Sequence, residues 1–231
     1  MVYLLFDIDW ASDEMIDYVA DILIEKNICA TWFVTHDSPA IERLKAHPDI
    51  FDLGIHPNFN LESTQGKNPE KILDNLLQII PNAKFVRTHG LLQSTNLLAL
   101  MASKGLVADF SLYLPRQWEA KPHELYFENG NKIIRVPFHW EDDLEMCRPD
   151  RLFEVNLLPK KVNSMMFAFH PVHVFYNTCY LANYRHLSKT ESEMPTQQSD
   201  DSNDFGSRTF LLDLIESKIP LKRLDHFRSL S

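Results

Sequence analysis

Short apolar runs of strand length alternate with helical patterns along the first half of this 231-residue chain, and this alternation limits the fold more than any other feature. A single helical pattern separates each run from the next; the first begins after Ser12 and the third after Asn68. Strands joined through one helix are parallel with right-handed crossovers, so the pattern predicts an α/β fold with a mostly parallel sheet. The predicted strands are 2–6, 29–35, 51–56, 85–89 and 107–114.

The second half of the chain adds antiparallel and polar features. Residues 125–127 and 132–138 flank an Asn-Gly turn, which predicts a β-hairpin inserted into the parallel pattern. Residues 165–169 predict another core strand, and 209–218 predict a closing amphipathic helix. Residues 189–207 are polar and nearly free of large apolar side chains, which is typical of a mobile or disordered loop. Because no repeat or linker divides the chain, we expect residues 1–231 to form one domain.

Titratable residues lie at the ends of these predicted strands. The carboxyl ends of parallel strands meet at one rim of the fold, where α/β proteins build their sites. We therefore expect one site that collects carboxylates, imidazoles and a guanidinium from several elements. The residues in these positions are Asp7, Asp9, His56, Arg87, His89, Glu141, Asp142, Asp143, His170 and His173.

The spacing of these residues indicates a cation. Asp7 and Asp9 are two residues apart, as are Arg87 and His89, so on a strand each pair would point to one side. Neighbouring carboxylates repel each other unless a cation lies between them. Carboxylate and imidazole ligands together suit zinc and other first-row metals. Such a metal would activate water, a further carboxylate could accept the proton, and a histidine could protonate a leaving group. A single strand-end histidine or aspartate, however, is as often a structural hydrogen-bonding residue.

Composition excludes several other classes of protein. The formal net charge of −9 argues against nucleic acid as a partner. The first apolar run ends at Asp7 and has no basic flank, so neither a signal peptide nor an integral membrane segment is expected. Three widely spaced cysteines fit a reducing compartment, which favours a cytoplasmic protein. No glycine-rich loop follows a strand, so a phosphate-binding NTPase is disfavoured.

Five segments, in order, resemble the motifs of the polysaccharide deacetylase family, also called the NodB-homology or carbohydrate esterase family 4 group. The family's T-F-D-D-G, A-T-F-F, H-[ST]-x-x-H, R-x-P-[FY] and terminal L-H motifs are similar to 6–9 (FDID), 30–33 (ATWF), 52–60 (DLGIHPNFN), 87–90 (RTHG) and 167–171 (FAFHP). The residues of these segments are most similar to those of a divergent, WbmS-like subgroup found with O-antigen and other surface-glycan loci. The resemblance implies an irregular (β/α)7-type barrel.

The resemblance also implies a role for each matching residue. Asp7 would be the catalytic base, Arg87 would orient that base, and His170 would be the general acid. Asp9, His56 and His89 would hold a divalent metal, with zinc as the first candidate. Asn60 replaces the second histidine of the family motif and is a weaker metal ligand than histidine. His89 is therefore included as the third ligand, and Asn60 is the alternative. The remaining candidate positions, which would contact substrate or tune the acid, are Asn60, Trp10, Asp142 and His173.

Three functions stay open at this point. The resemblance implies a metal-dependent deacetylase that hydrolyses an N-acetyl group on a sugar of a surface glycan or its precursor. A catalytically inactive glycan-binding or assembly protein is the alternative, because Asn60 could mark loss of the metal. A different amide or ester hydrolase on the same barrel is the third. The presence of Asp7, Arg87 and His170 together favours an enzyme, since a binding protein needs no base and acid.

Overall fold

The computed structural model describes residues 1–128, 130–160, 162, 164–180 and 205–224, and the statements that follow concern those residues. The strands are β1 (Val2–Asp7), β2 (Ala30–Val34), β3 (Phe51–Ile55), β4 (Phe85–Val86), β5 (Ala108–Tyr113), β6 (His123–Tyr126), β7 (Lys132–Phe138), β8 (Trp140–Glu141) and β9 (Met165–Phe169). The helices are α1 (Asp13–Glu25), α2 (Pro39–Lys45), α3 (Pro69–Ile79), α4 (Thr95–Ser103), α5 (Asp142–Met146), α6 (Pro171–Tyr176) and α7 (Ser207–Glu216).

The nine strands form one sheet in the order β6-β7-β5-β4-β3-β2-β1-β9-β8. Only the β6–β7 pair is antiparallel among these described strands, and it is the predicted hairpin. The other pairs are parallel, and each step from β1 to β5 passes through a helical connection. The predicted α/β fold with a mostly parallel sheet and an inserted hairpin is therefore confirmed.

His139 connects the two ends of the strand order. It separates β7, which pairs with β5, from β8, which pairs with β9. The His139 N–H donates to the Met166 carbonyl oxygen at 3.0 Å, and the Met166 N–H donates to Nδ1 of His139 at 3.2 Å. The sheet thus curves toward a barrel, with an irregular join in place of a continuous ladder between β7 and β9.

Two apolar layers line the two faces of the sheet. The outer layer fills the space between sheet and helices and includes Phe6 stacked on Trp32 at 4.6 Å. The inner layer fills the curved interior with side chains such as Phe33 and Phe85. Gly54 is required beside these two rings, because a Cβ there would lie 2.7 Å from the Phe85 carbonyl oxygen and 2.8 Å from the Phe33 ring. The interior is therefore a packed core that supports the rim above it.

Local sequence sets the helix ends. The Asn68 side chain accepts a hydrogen bond from the Lys71 N–H at 2.9 Å, and the Ser94 hydroxyl accepts one from the Leu97 N–H at 3.3 Å, at the starts of α3 and α4. Helix α7 receives its cap from a distant residue, since the Thr209 N–H donates to Oδ1 of Asn177 at 3.1 Å.

Several predicted boundaries differ from those in the structure, above all at the fourth strand and the closing helix. The fourth strand ends at Val86 rather than at residue 89, because the chain turns into a short 3-10 segment at His89–Leu91. The closing helix begins at Ser207 and ends at Glu216, two residues earlier than predicted at each end. Residues 189–204 of the predicted loop lie outside the described residues. The assignment of residues 1–231 to one domain stays a prediction.

Candidate active site

The alternation of side chains along each strand delivers the polar residues to one rim. Leu5, Phe85 and Ala168 belong to the inner apolar layer. Asp7, Arg87 and His170 follow two positions later, at or just beyond the strand ends, and all three are buried. Each is the next inward-facing position above the packed interior. His56 has the same relation to Gly54 on β3.

Asp9, His56 and His89 form a compact group at this rim. One oxygen of Asp9, Oδ1, lies 3.0 Å from Nε2 of His56 and 2.9 Å from Nδ1 of His89. The two imidazole rings are 5.5 Å apart and nearly perpendicular. Three candidate ligand atoms, one from each residue, all lie within 4.8 Å of one another. The structure thus brings together the three residues predicted to bind metal.

The donor set of this group fits a divalent metal. Two imidazole nitrogens and one carboxylate oxygen are the three protein ligands of many catalytic zinc sites, with a further position left for water. Ligands about 2.0–2.2 Å from zinc in a tetrahedron are about 3.3 Å apart, and the nitrogen–oxygen separations of 2.9–3.0 Å are close to that spacing. In the protein alone, burial raises the pKa of Asp9, but hydrogen bonds from His56 and His89 outweigh it, and the pKa is well below its usual value. The same contact with Asp9 raises the pKa of His89.

The geometry that places Asp9 and His89 differs from the predicted one. Both were expected to extend their strands, but Asp9 lies in a tight turn after β1 with φ of 37°, and Trp10 follows with φ of 57°. Two successive non-glycine residues in the left-handed region cost about 1–3 kcal/mol each. His89 opens a 3-10 segment instead of ending a strand. The two residues still meet each other, although turns rather than strand alternation bring them together.

Arg87 holds the predicted base. Its Nε donates to Oδ2 of Asp7 at 2.5 Å, and its Nη1 donates to the Phe110 carbonyl oxygen at 2.6 Å. The guanidinium carbon also lies 3.8 Å above the centre of the Phe138 ring. Burial would lower the pKa of Arg87, but the charges of Asp7 and Glu141 outweigh it and raise the pKa. Oδ1 of Asp7 faces His56, with 3.7 Å between it and Nδ1 of that ring. One oxygen of Asp7 is therefore fixed, while the other points toward the metal group.

His170 lies on the opposite side of Asp9 from His89 and is held by Asp142. Its Nδ1–H donates to Oδ1 of Asp142 at 2.6 Å, and its backbone N–H donates to Oδ2 of Asp142 at 2.8 Å. The Nε2 atom lies 3.5 Å from Oδ2 of Asp9. Burial opposes ionisation of His170, but the adjacent Asp142 charge outweighs it and raises the pKa well above the usual value. Asp142 thus favours the protonated form of the His170 imidazole, whose Nε2 side faces the metal group.

Asp142 and His173 lie behind His170. Asp142 is completely buried and both of its oxygens contact His170, an arrangement that fits the predicted role of tuning the acid; direct contact of Asp142 with substrate stays a prediction. His173 is buried too; its Nδ1 lies 2.8 Å from the Thr178 hydroxyl, and its ring meets His170 edge-on. Burial lowers the pKa of His173. Both residues support His170 from within the fold.

Trp10 and Asn60 lie at the open side of the group. The Trp10 indole is 40% exposed and packs edge-on against the His89 ring at 5.2 Å. Asn60 is exposed on the loop after β3, and its amide nitrogen would lie 3.9 Å from a Cβ at Gly90, the residue after His89. Substrate contact by either residue stays a prediction, and both are accessible for it.

The strand-end pattern places Glu141 at the rim, but sequence reasoning gives it no role there. Its Oε2 lies 2.8 Å from Nη2 of Arg87, and its Oε1 lies 4.0 Å from Nε2 of His170. Burial raises the pKa of Glu141 to about 8. The only sequence signal was its position after the hairpin strand, which it shared with Asp142 and Asp143.

Comparison with known families assigns the chain. A family model described as WbmS-like polysaccharide deacetylase matches residues 4–188. The chain belongs to this family. A crystal structure from Bordetella bronchiseptica, of a protein classed as a polysaccharide deacetylase involved in O-antigen biosynthesis, is 32% identical with a TM-score of 0.76. That match covers 93% of this chain and 89% of the other.

More distant solved structures share the fold alone. A structure from Mycobacterium smegmatis classed as a polysaccharide deacetylase has 15% identity, a TM-score of 0.53 and 84% coverage of both chains. A 4-alpha-glucanotransferase from Thermococcus litoralis has 11% identity and a TM-score of 0.59, covering 100% of this chain and 38% of that one. No curated protein sequence matches the chain significantly. Within the described ranges, every helix is too short or too polar to serve as a membrane span.

Proposed function

We propose that this WbmS-like polysaccharide deacetylase family member is a metal-dependent deacetylase that removes the N-acetyl group from a sugar of a surface glycan or its precursor. One observation carries the proposal: the Asp7–Arg87 pair and the His170–Asp142 pair both border the Asp9–His56–His89 group, Asp7 through His56 and His170 through Asp9. A candidate base, a candidate acid and a candidate metal site thus converge within one rim. Amide hydrolysis by activated water needs these three parts.

The metal would be held by Asp9, His56 and His89. A divalent ion bound there, with zinc as the first candidate, supplies a Lewis acid that polarises the acetyl carbonyl and lowers the pKa of a water toward about 7. The two imidazoles would bind as neutral ligands and the carboxylate in its ionised form.

The remaining residues move protons and hold geometry. Oδ1 of Asp7 accepts the proton of the attacking water, while Arg87 holds Oδ2 and keeps the carboxylate in one orientation. A bond forms between the water oxygen and the acetyl carbon, and the carbon–nitrogen bond breaks. Nε2 of His170 gives its proton to the departing amine nitrogen, and Asp142 stabilises the protonated ring before that transfer. The products are acetate and an amino sugar.

The inactive alternative is less favoured by this geometry. It was motivated by Asn60, which stands where the family has a second histidine. His89 offers a ring nitrogen 2.9 Å from Oδ1 of Asp9, so three ligands are available without Asn60. A buried base and a buried acid beside those ligands have no evident use in a binding protein. The sugar, its linkage to a carrier and a cytoplasmic location stay predictions.

Acetate release from N-acetylated sugars tests the function directly. Wild type, Asp7→Asn and Asp37→Asn are incubated with nucleotide-linked and oligomeric N-acetyl sugars after loading with zinc. Asp7→Asn is isosteric and should lose about 100-fold to 10,000-fold in turnover, as expected for loss of a general base. Asp37 is an exposed carboxylate on the neighbouring loop, and its variant should retain wild-type turnover. Equal turnover in wild type and Asp7→Asn would remove the proposed mechanism.

A further inference from the structure

Glu141 is a buried carboxyl group at the rim to which the proposed mechanism gives no role. It is 5% exposed at the end of β8 and contacts both halves of the proposed proton path. Oε2 lies 2.8 Å from Nη2 of Arg87, and Oε1 faces Nε2 of His170 at 4.0 Å. Arg87 in turn contacts Asp7. A continuous series of buried polar groups therefore runs from Asp7 through Arg87 and Glu141 to His170.

A local irregularity in the sheet aims Glu141 inward. Along β7 the inward-facing residues are Ile134, Val136 and Phe138, and strict alternation would make position 140 the next one. Trp140 instead belongs to the outer apolar layer, where its ring lies 4.8 Å from Phe210. The join at His139 shifts the alternation by one residue, so Glu141 turns to the interior. Bulges of this kind commonly re-aim side chains beside active sites.

The charge balance around Arg87 makes the presence of Glu141 unusual. One buried guanidinium faces two carboxyl groups, and two carboxylates that share one cation repel each other. Burial raises the pKa of Glu141 to about 8, opposed by Arg87 and His170 and reinforced by Asp143 and Asp7. Burial thus favours the protonated form of Glu141, in which the positive charge of the guanidinium is left to Asp7.

We propose that Glu141 is a positioning residue for the reaction: it holds Nη2 of Arg87 so that Nε stays on Asp7, and it lines the side of the site where Nε2 of His170 delivers its proton. This inference rests on the proposed function. A positioning role differs from a purely structural one, because loss of Glu141 must then slow turnover and leave the metal group intact. Among the described interactions, Glu141 does not contact that metal group.

The test compares Glu141→Gln with Glu145→Gln. Glu145 is a matched control: it is also a buried acid paired with an arginine, with Oε2 2.7 Å from Nη2 of Arg116, but it contacts neither Arg87 nor His170 among the described contacts. Zinc content, kcat and KM are measured for both variants and wild type. We expect Glu141→Gln to bind zinc as wild type does, to lose about 10-fold to 100-fold in kcat and to keep its KM within about twofold. Glu145→Gln should keep its kcat.

The pH dependence of unfolding gives a second measurement that needs no activity. Because the pKa of Glu141 is about 8 when folded and 4.5 when free, the folded state binds more protons between these values. Stability of wild type should therefore fall, relative to Glu141→Gln, as the pH rises from 4.5 to 8. The groups that face Glu141 and must titrate alike in both proteins are Arg87, Asp7, His170 and Asp143.

The outcomes separate this inference from the proposed function. Unchanged kcat in Glu141→Gln, or a loss no larger than in Glu145→Gln, overturns the positioning role. If wild type releases no acetate from any sugar, the proposed function fails and the positioning role fails with it. A fall in the stability of wild type relative to Glu141→Gln as the pH rises then still supports a buried, protonated Glu141 beside Arg87, and a difference independent of pH overturns it.

Discussion

Nε of Arg87 lies 2.5 Å from Oδ2 of Asp7, across 80 residues of sequence and in the completely buried part of the rim. The contact joins the ends of β1 and β4, which are not neighbours in the sheet, since β2 and β3 lie between them. Two residues meet in this way only if the sheet curves. The same contact thus reports on the shape of the fold and on the orientation of the candidate base.

Removing the Arg87 guanidinium should destabilise the fold strongly. In Arg87→Met, Asp7 and Glu141 would lose their shared buried cation, and we expect the free energy of unfolding to fall by about 3–5 kcal/mol. Arg43→Met is the control, because Arg43 pairs with Asp17 at the surface at 2.8 Å, and such pairs contribute about 1 kcal/mol or less. Urea denaturation of both variants measures the difference. Similar losses of unfolding free energy in Arg87→Met and Arg43→Met would show that the buried Arg87 contacts stabilise the fold no more than a surface ion pair does.

Asp142 should set the pH range in which His170 works as an acid. In Asp142→Asn the neighbouring negative charge is lost, so burial dominates and the pKa of His170 falls. A general acid is active while protonated, so the alkaline limb of the pH profile of kcat should move to lower pH in this variant. Acetate release measured across pH values gives both profiles. An alkaline limb at the same pH in wild type and Asp142→Asn would assign that limb to another group.

His139 should make the fold sensitive to acid. Burial lowers its pKa to about 4, whereas the free imidazole has a pKa of 6.5, so the unfolded chain binds the extra proton between these values. The stability contributed by the neutral ring is present above pH 6.5 and is lost as the pH falls toward 4, by up to about 3 kcal/mol.

His139→Asn keeps an acceptor for the Met166 N–H and removes the titration. Its unfolding free energy should therefore fall less than that of wild type between pH 6.5 and 4. Chemical denaturation at several pH values measures both. Parallel curves for the two proteins would show that His139 does not titrate in this range.

Much of the fold and most of the candidate site follow from local sequence pattern. Strand-length apolar runs and single connecting helices predict the parallel sheet, because period and connection length are local properties. The positions of Asp7, His56, Arg87 and His170 at strand ends then predict a shared rim, since parallel strands point the same way.

The parts that sequence did not predict depend on backbone irregularities. Asp9 reaches the metal group through a turn in which Asp9 and Trp10 have positive φ. A glycine at either position would have predicted such a turn, whereas aspartate and tryptophan do not. Glu141 faces inward because alternation shifts at His139, and that shift depends on a contact with Met166, 27 residues further along. For Asp142 the sequence leaves open whether it tunes the acid or contacts substrate, because its burial behind His170 is a property of packing, which spacing alone does not contain.

The central claim is that Asp9, His56 and His89 hold a catalytic metal, and elemental analysis of purified wild type, His89→Ala and Asn60→Ala tests it most directly. We expect about one equivalent of zinc or a similar metal in wild type and in Asn60→Ala, and loss of that metal in His89→Ala. Retention of the metal by His89→Ala at wild-type affinity would contradict the ligand set. A wild-type protein that takes up no metal even with excess zinc would contradict the enzyme itself and favour the inactive glycan-binding alternative.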